Sequence, residues 1–245
     1  MSFIPDLSFF LVAIPAVMIS GIGKGGMGTA MGILAVPLMS LVMPPLQAAA
    51  ILLPLLMVMD GFAIWGWRNH VDWRMMRMLL PAGLLGILIG VLTFYRLPDS
   101  SVRILIGALS ILFCLHQWLF KQVKPGSQSR IKGTFWATVS GFTSFGLHAG
   151  GAPLSIYMLP LKMDKQVLAG TMAVFFGILN VVKLPAYGTM GQFDSESLLL
   201  SLMLLPFCPL SVKLGMKLVS RIREDIFYRF LYFGLFLTGM KLIAG

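Results

Sequence analysis

Long apolar runs alternate with short polar connections along the whole chain. Because a helix needs about 20 residues to cross the hydrocarbon core of a bilayer, six of the runs are long enough to be predicted as membrane spans and four are shorter. The ten runs, in chain order, are 7–23, 27–43, 46–67, 78–95, 102–120, 133–147, 151–161, 166–189, 197–219 and 226–243. The short ones are the first, second, sixth and seventh, at 7–23, 27–43, 133–147 and 151–161, and the other six are long.

The four short runs form two pairs, and each pair is joined by a glycine-rich motif. The first motif is GIGKGGMG at 21–28, and the second is GFTSFGLHAGGAP at 141–153. Irregular backbone at membrane depth is tolerated only where protein buries it or a cavity opens. The pattern therefore predicts an all-α polytopic membrane protein with broken or re-entrant short segments at the two motifs.

Composition supports a membrane protein. The chain is 58% hydrophobic and only 11% charged, whereas soluble domains carry about 25% charged residues. The formal net charge of +10 does not indicate a nucleic-acid partner, because the basic residues lie between apolar runs rather than in one patch. The two cysteines fit neither a disulfide framework nor a metal-ligand spacing, and no metal site or cofactor is predicted.

The distribution of basic residues predicts the orientation. Thirteen of the 19 lysines and arginines fall at every second connection, in 68–77, 121–132, 162–165 and 213–223. Since cytoplasmic loops are enriched in these residues, both termini are predicted to be non-cytoplasmic. The first 20 residues lack a basic n-region, which favours a retained membrane segment over a cleaved signal peptide.

The two halves of the chain resemble each other at an offset of 120 positions, where Ser20-Gly21 matches Ser140-Gly141 and Asp60 matches Asn180. Each half has five segments, an odd number, so the second half starts from the opposite side of the membrane. This is typical of inverted repeats in secondary transporters. We predict one membrane domain over 1–245, with a first repeat at 1–120, a cytoplasmic linker at 121–132 and a second repeat at 133–245.

The glycine-rich motifs predict an anion site near the midplane. Glycine lets the backbone approach a ligand closely, and a helix that restarts after a break presents free N–H groups and a positive dipole end. A lysine at membrane depth costs about 2.5–3.5 kcal/mol and needs a water-filled cavity or a negative partner. The candidate ligands are Lys24, Gly25, Gly26, Thr29, His148, Gly150, Gly151, Asn180 and Lys183.

Other roles stay open for several of these residues. The glycines can serve close helix packing, and Lys24 can extend to the cytoplasmic surface. Asp60 is the candidate coupling residue, but it can also hydrogen-bond Asn180 across the pseudo-twofold. Lys183, three positions after Asn180, is placed either to pair with Asp60 or to bind the anion.

Two other classes of site are disfavoured. Gly21, Gly23 and Gly26 fit G-x-G-x-x-G, but no strand precedes them and no acidic residue follows about 20 positions on. Ser144 and His148 lie four positions apart, yet no nucleophile motif surrounds them. We therefore predict that the protein is not an enzyme. An anion channel stays open as the main alternative to a carrier, because it can use the same glycines and charges.

The stretch SGIGKGGMGTAMGILAVPLMS resembles the first half of the sulfite-exporter-type permeases, the TauE/SafE family. GFTSFGLHAGGAPLSIYMLPLKM, followed by FFGILNVVKLPAYG, resembles the second half. The resemblance implies a permease of the bacterial inner membrane that moves sulfur-containing anions such as sulfite or organosulfonates, often outward. It also implies about eight spans, fewer than ten segments. The expected partners are the anion and the lipid bilayer. A proton or a sodium ion as coupling ion, and a monomer or a homodimer, stay open.

Overall fold

The described part of the chain is built from α-helices. A computed structural model describes residues 7–27, 29–119, 128–191, 193–218 and 224–244. These residues form α1 (Leu7–Ile22), α2 (Ala35–Met39), α3 (Pro45–Trp67), α4 (Trp73–Phe94), α5 (Asp99–Leu119), α6 (Arg130–Leu147), α7 (Gly151–Met158), α8 (Lys165–Thr189), α9 (Ser195–Leu204), α10 (Phe207–Leu218) and α11 (Glu224–Ala244). A π-helical turn at Gly23–Met27 and 3-10 helices at Thr29–Leu34 and Leu159–Leu161 complete the described elements.

Several helices have the length and composition of membrane spans. Within the described ranges, four qualify by themselves, and a fifth span results if α9 and α10 are counted together. The four are Leu7–Gly25, Pro45–Trp67, Trp73–Phe94 and Lys165–Thr189. The predicted all-α polytopic membrane protein is confirmed.

Two predicted segments have a different form in the structure, one in its length and one in its shape. The first segment is long enough to span, because α1 continues through the π turn to Gly25. The ninth segment is not one straight helix, since α9 and α10 are bent by 44° around a break that contains Pro206. Proline has no N–H to donate and clashes with the preceding turn, so it allows the helix to stop there. Where the structure describes them, the fifth and tenth segments contain shorter apolar helices, Ser100–Leu115 and Leu235–Ala244.

Both glycine-rich motifs interrupt a helix, as predicted. After α1 the chain widens into the π turn and resumes as the 3-10 helix that leads into α2. After α6, His148 adopts a left-handed conformation with φ 51°, and α7 begins at Gly151. Left-handed residues commonly end helices, although glycine is the usual choice. The two breaks therefore have different backbone geometry.

The helix packing has the pattern that two related halves would give. α4 packs along α6, while α10 packs along α1 and the π turn. α3 packs against α8, and α5 packs against α11. Exchanging the two halves turns the contact of α4 with α6 into the contact of α10 with α1, and it maps the α3–α8 and α5–α11 contacts onto themselves. A pseudo-twofold axis would give this pattern. The inverted repeat and its boundaries stay predictions; residues 120–127 of the linker lie outside the described residues, and α6 already begins at Arg130.

Asp194 caps the N-terminus of α9. Its Oδ1 accepts a hydrogen bond of 2.7 Å from the backbone N–H of Ser197, and this bond is the main reason that the pKa of Asp194 lies below its ordinary value of 3.8. A lowered folded-state pKa adds stability that is present above the unfolded pKa and is lost as pH falls through the folded value.

Removing this cap is expected to destabilise α9 at neutral pH. Asp194→Ala should lower the free energy of unfolding by about 1 kcal/mol at pH 7, and Asp194→Asn should lower it much less, since an amide oxygen still accepts the bond. Unfolding of the purified protein in detergent, followed over a pH series, checks this. The deficit of the alanine variant should shrink as pH falls below about 4. A deficit that is constant with pH would mean that the carboxylate charge plays no part.

Candidate functional site

A small cavity lies where the two glycine breaks meet. Its volume is about 20 Å³, which is enough for roughly one water molecule. It is lined by residues of both halves, so the two breaks lie next to each other. The lining residues are Ser20, Lys24, Gly32, Leu56, Ser144, His148, Gly151, Phe176 and Asn180.

A buried ion pair joins the π turn to α3 beside this cavity. Lys24 Nζ donates to Asp60 Oδ1, and the other carboxylate oxygen, Oδ2, accepts a hydrogen bond of 2.5 Å from Asn180 Nδ2. The side chains of Lys24 and Asp60 are only 11% and 4% exposed. Asp60 is therefore held by a cation from the first half and an amide from the second.

This pairing decides between the alternatives that the sequence left open. Lys24 turns inward to Asp60 and does not extend to the surface. Lys183 is not the partner of Asp60, although its spacing from Asn180 allowed that. The hydrogen bond between Asp60 and Asn180, the other role that the sequence left open for Asp60, is present. The π turn contacts both α3 and α8, which is why a side chain at position 24 reaches this pair.

Lys183 forms the centre of a second buried cluster. Its Nζ lies 2.9 Å from the carbonyl oxygen of Ser144, 3.1 Å from Ser144 Oγ and 2.9 Å from His148 Nδ1. The side chain is fully buried, with an exposed fraction of 0%. In the part of the chain that the structure describes, no carboxylate pairs with Lys183, so its charge is not balanced by a direct partner.

The hydrogen bonds of His148 identify its tautomer. Nε2 lies 2.8 Å from the carbonyl oxygen of Ala49, which can only accept, so Nε2 carries the hydrogen. Nδ1 is then a bare acceptor and receives a hydrogen from Lys183. The ring also stacks on Tyr187, with centroids 6.2 Å apart and planes 17° apart. Both ring nitrogens are thus hydrogen-bonded to other groups of the protein.

The other candidate ligands have different surroundings. Gly151 begins α7 and lines the cavity. Gly25 and Gly150 are packed against backbone, because a Cβ would lie 2.3 Å from the Val212 oxygen and 2.5 Å from the Ser140 oxygen respectively. The packing role that the sequence left open therefore applies to both glycines. The side chain of Thr29 and the surroundings of Gly26 lie outside the described residues.

The candidate ligands predicted from the sequence do not include five of the lining residues, which are Ser20, Gly32, Leu56, Ser144 and Phe176. The 120-residue offset relates Leu56 to Phe176, just as it relates Asp60 to Asn180 and Lys24 to Ser144. Leu56 and Phe176 each lie four positions, about one helical turn, before Asp60 and Asn180. Applying the offset to the neighbouring turn of the helix could therefore have found this pair.

The charges around the cavity favour an anion. Two basic side chains, Lys24 and Lys183, lie near one carboxylate, Asp60, and all three lie in surroundings where water screens little, so protonation of both amines gives the site a net positive charge. Among the residues that the structure describes, no group of histidine, cysteine, aspartate or glutamate could hold a metal ion. The arrangement can offer an ammonium, an amide and a hydroxyl to one small acceptor-rich ligand.

Comparison with known proteins agrees with this chemistry. The model of the family described as Sulfite exporter TauE/SafE matches residues 13–242, a range that includes both breaks and every residue of the cavity. No curated protein and no solved structure matches the chain. The family comprises membrane transporters of sulfite and related sulfur anions rather than enzymes. The chain therefore belongs to the sulfite exporter TauE/SafE family.

Proposed function

We propose that the protein is a secondary transporter that exports a small sulfur-containing anion, sulfite or an organosulfonate, across the bacterial inner membrane. The observation that carries the proposal is the excess of lysine over carboxylate around the cavity between the two breaks. Protonation of the second lysine without a counter-charge would cost several kcal/mol, and a bound anion offsets that cost.

The anion is proposed to bind beside Lys24. Sulfite and sulfonates carry several oxygens that accept hydrogen bonds, and charge-assisted bonds are the strong ones. Lys24 and Asn180, which now donate to Asp60, both line the cavity, as does Ser144. The anion competes with Asp60 for Lys24, which is why Asp60 stays the candidate coupling residue.

Transport is proposed to follow from movement of one half against the other. A cavity of about 20 Å³ is too small for a sulfur oxyanion, so binding requires that the two breaks separate. They belong to different halves, and rocking of one repeat against the other around a fixed site gives alternating access. In this proposal the driving force is an ion or substrate gradient, and both termini are non-cytoplasmic.

Counterflow tests the proposal. Proteoliposomes loaded with unlabelled sulfite or methanesulfonate are expected to take up the labelled anion transiently, with saturable kinetics, whereas protein-free liposomes do not. A channel gives conductance that depends little on internal substrate, so a current without counterflow would favour the channel. Absence of exchange of both anions, in protein shown to be folded, would contradict the proposed substrate class.

A further inference from the structure

In the described part of the chain, Lys183 hydrogen-bonds the end of α6 but has no carboxylate partner for its charge. The ionisable groups that face it are Asp60 from α3, Lys24 from the π turn, His148 from the end of α6 and Tyr187 on α8 itself. Asp60 is already occupied by Lys24 and Asn180. α4 also packs against α8, but it meets it through the apolar contact of Gly83 with Phe175 and Leu179.

The hydrogen bonds of Lys183 are compatible with two protonation states. The Ser144 carbonyl can only accept, and so can Nδ1 of the neutral His148 ring, so the amine donates to both. The third neighbour, Ser144 Oγ, can donate or accept. A neutral amine has two hydrogens and a lone pair, so it accepts the hydroxyl hydrogen. An ammonium has three hydrogens, so it donates to Ser144 Oγ. The hydroxyl hydrogen of Ser144 is then free to donate to another acceptor.

We propose that Lys183 binds a proton together with the transported anion and that Ser144 links the two events. Ser144 lines the cavity, so its hydroxyl can donate a hydrogen bond to the anion once Lys183 has gained its proton. The proton comes from water on the side where the anion enters, binds to the amine lone pair, and leaves on the other side with the anion. No electrons are exchanged. This inference rests on the proposed transport function.

Geometry favours Lys183 over Asp60 as the proton carrier. Asp60 receives one donor on each carboxylate oxygen, from Lys24 and from Asn180, and both bonds stabilise the ionised form. Lys183 has no such counter-charge, and a buried ammonium without one is costly. We therefore expect its amine to be protonated only when an anion binds. In this scheme Asp60 keeps its charge and contributes to coupling only through its competition with the anion for Lys24, while Lys183 carries the proton.

The probe that isolates this step is methanesulfonate, whose charge does not change near neutral pH. Any proton that crosses the membrane with it is therefore carried by a group of the protein and not by the anion. Proteoliposomes with an acidic exterior and a pH gradient of one unit are expected to accumulate the anion about tenfold if one proton accompanies each anion. Counterflow at equal pH on both sides measures exchange separately. The ratio of the two signals reports coupling and does not depend on how much protein is active.

Three variants locate the proton. Lys183→Met is expected to exchange the anion with lower affinity and to lose accumulation. Ser144→Ala keeps the lysine and is expected to lower anion affinity about tenfold at acidic pH, with little effect at alkaline pH. The matched control is Lys213→Met, an exposed lysine on α10, which should retain both signals.

Each outcome decides the inference. Wild-type exchange without pH-driven accumulation would overturn proton coupling and leave the transporter proposal standing. Accumulation that survives in Lys183→Met, or, if that variant does not fold, an affinity loss in Ser144→Ala that is equal at both pH values, would overturn the role of Lys183. Absence of exchange of both methanesulfonate and sulfite would overturn the transporter proposal and this inference with it.

Discussion

Replacement of Lys24 by methionine is expected to reduce anion exchange about 100-fold, because a charge-assisted hydrogen bond to the anion is lost. It is also expected to lower the free energy of unfolding by about 3–5 kcal/mol, since it leaves Asp60 as a buried carboxylate without its cation. The two effects have different causes, and a double variant separates them.

The double variant Lys24→Met, Asp60→Asn removes both charges and keeps similar shapes. Replacing a whole buried ion pair with neutral groups is often close to neutral for stability, so most of the lost unfolding free energy should return. Exchange should not return, because the anion still lacks Lys24. Denaturant unfolding in detergent measures the first quantity, and counterflow in proteoliposomes measures the second.

The result that contradicts this prediction is equally definite. A double variant that exchanges the anion as fast as the wild type would show that Lys24 is only the structural partner of Asp60. The anion site would then have to lie elsewhere. Lys213→Met serves again as control, because it removes one lysine of α10 that is exposed to the surroundings.

The sequence predicted the breaks and the family but not which lysine pairs with Asp60. Glycine-rich interruptions of apolar runs are local features, so both breaks could be located from the printed chain. Which lysine reaches Asp60 depends on the direction of side chains after the π turn at Gly23–Met27, and an i→i+5 turn is rare and has no reliable sequence signature. Lys183 points instead to Ser144 and His148 at the end of α6.

The break between α9 and α10 shows a similar limit. Prolines also lie inside α1, α3, α4 and α8, at Pro15, Pro54, Pro81 and Pro185, and none of those helices ends there. At Pro206 the helix does end. A proline in a membrane helix is tolerated where neighbouring groups satisfy the freed carbonyl, and those neighbours are set by tertiary packing. The local sequence therefore could not distinguish the one break from four continuous helices.

A single methyl group at Gly141 is expected to force α6 away from α4. The new Cβ would lie 2.0 Å from the carbonyl oxygen of Gly83, and on the facing side a Cβ at Gly86 would lie 2.0 Å from the oxygen of Thr138. These neighbours are backbone atoms of packed helices, which cannot rotate away as a side chain can. Overpacking typically costs 1–3 kcal/mol, and we expect Gly141→Ala to reach or exceed about 3 kcal/mol.

The displacement should also reduce transport, because α6 carries Ser144 and is followed directly by His148, and both residues line the cavity. The matched control is Gly61→Ala on α3, next to Asp60, where an added Cβ would meet no atom within 4 Å. Alanine favours a helix over glycine by about 1 kcal/mol, so this control should be neutral or slightly stabilising. Unfolding and counterflow of the two variants, measured side by side, check the contrast. Equal behaviour would mean that α4 and α6 do not approach this closely, and Gly141 would then need another explanation, such as direct backbone contact with the anion.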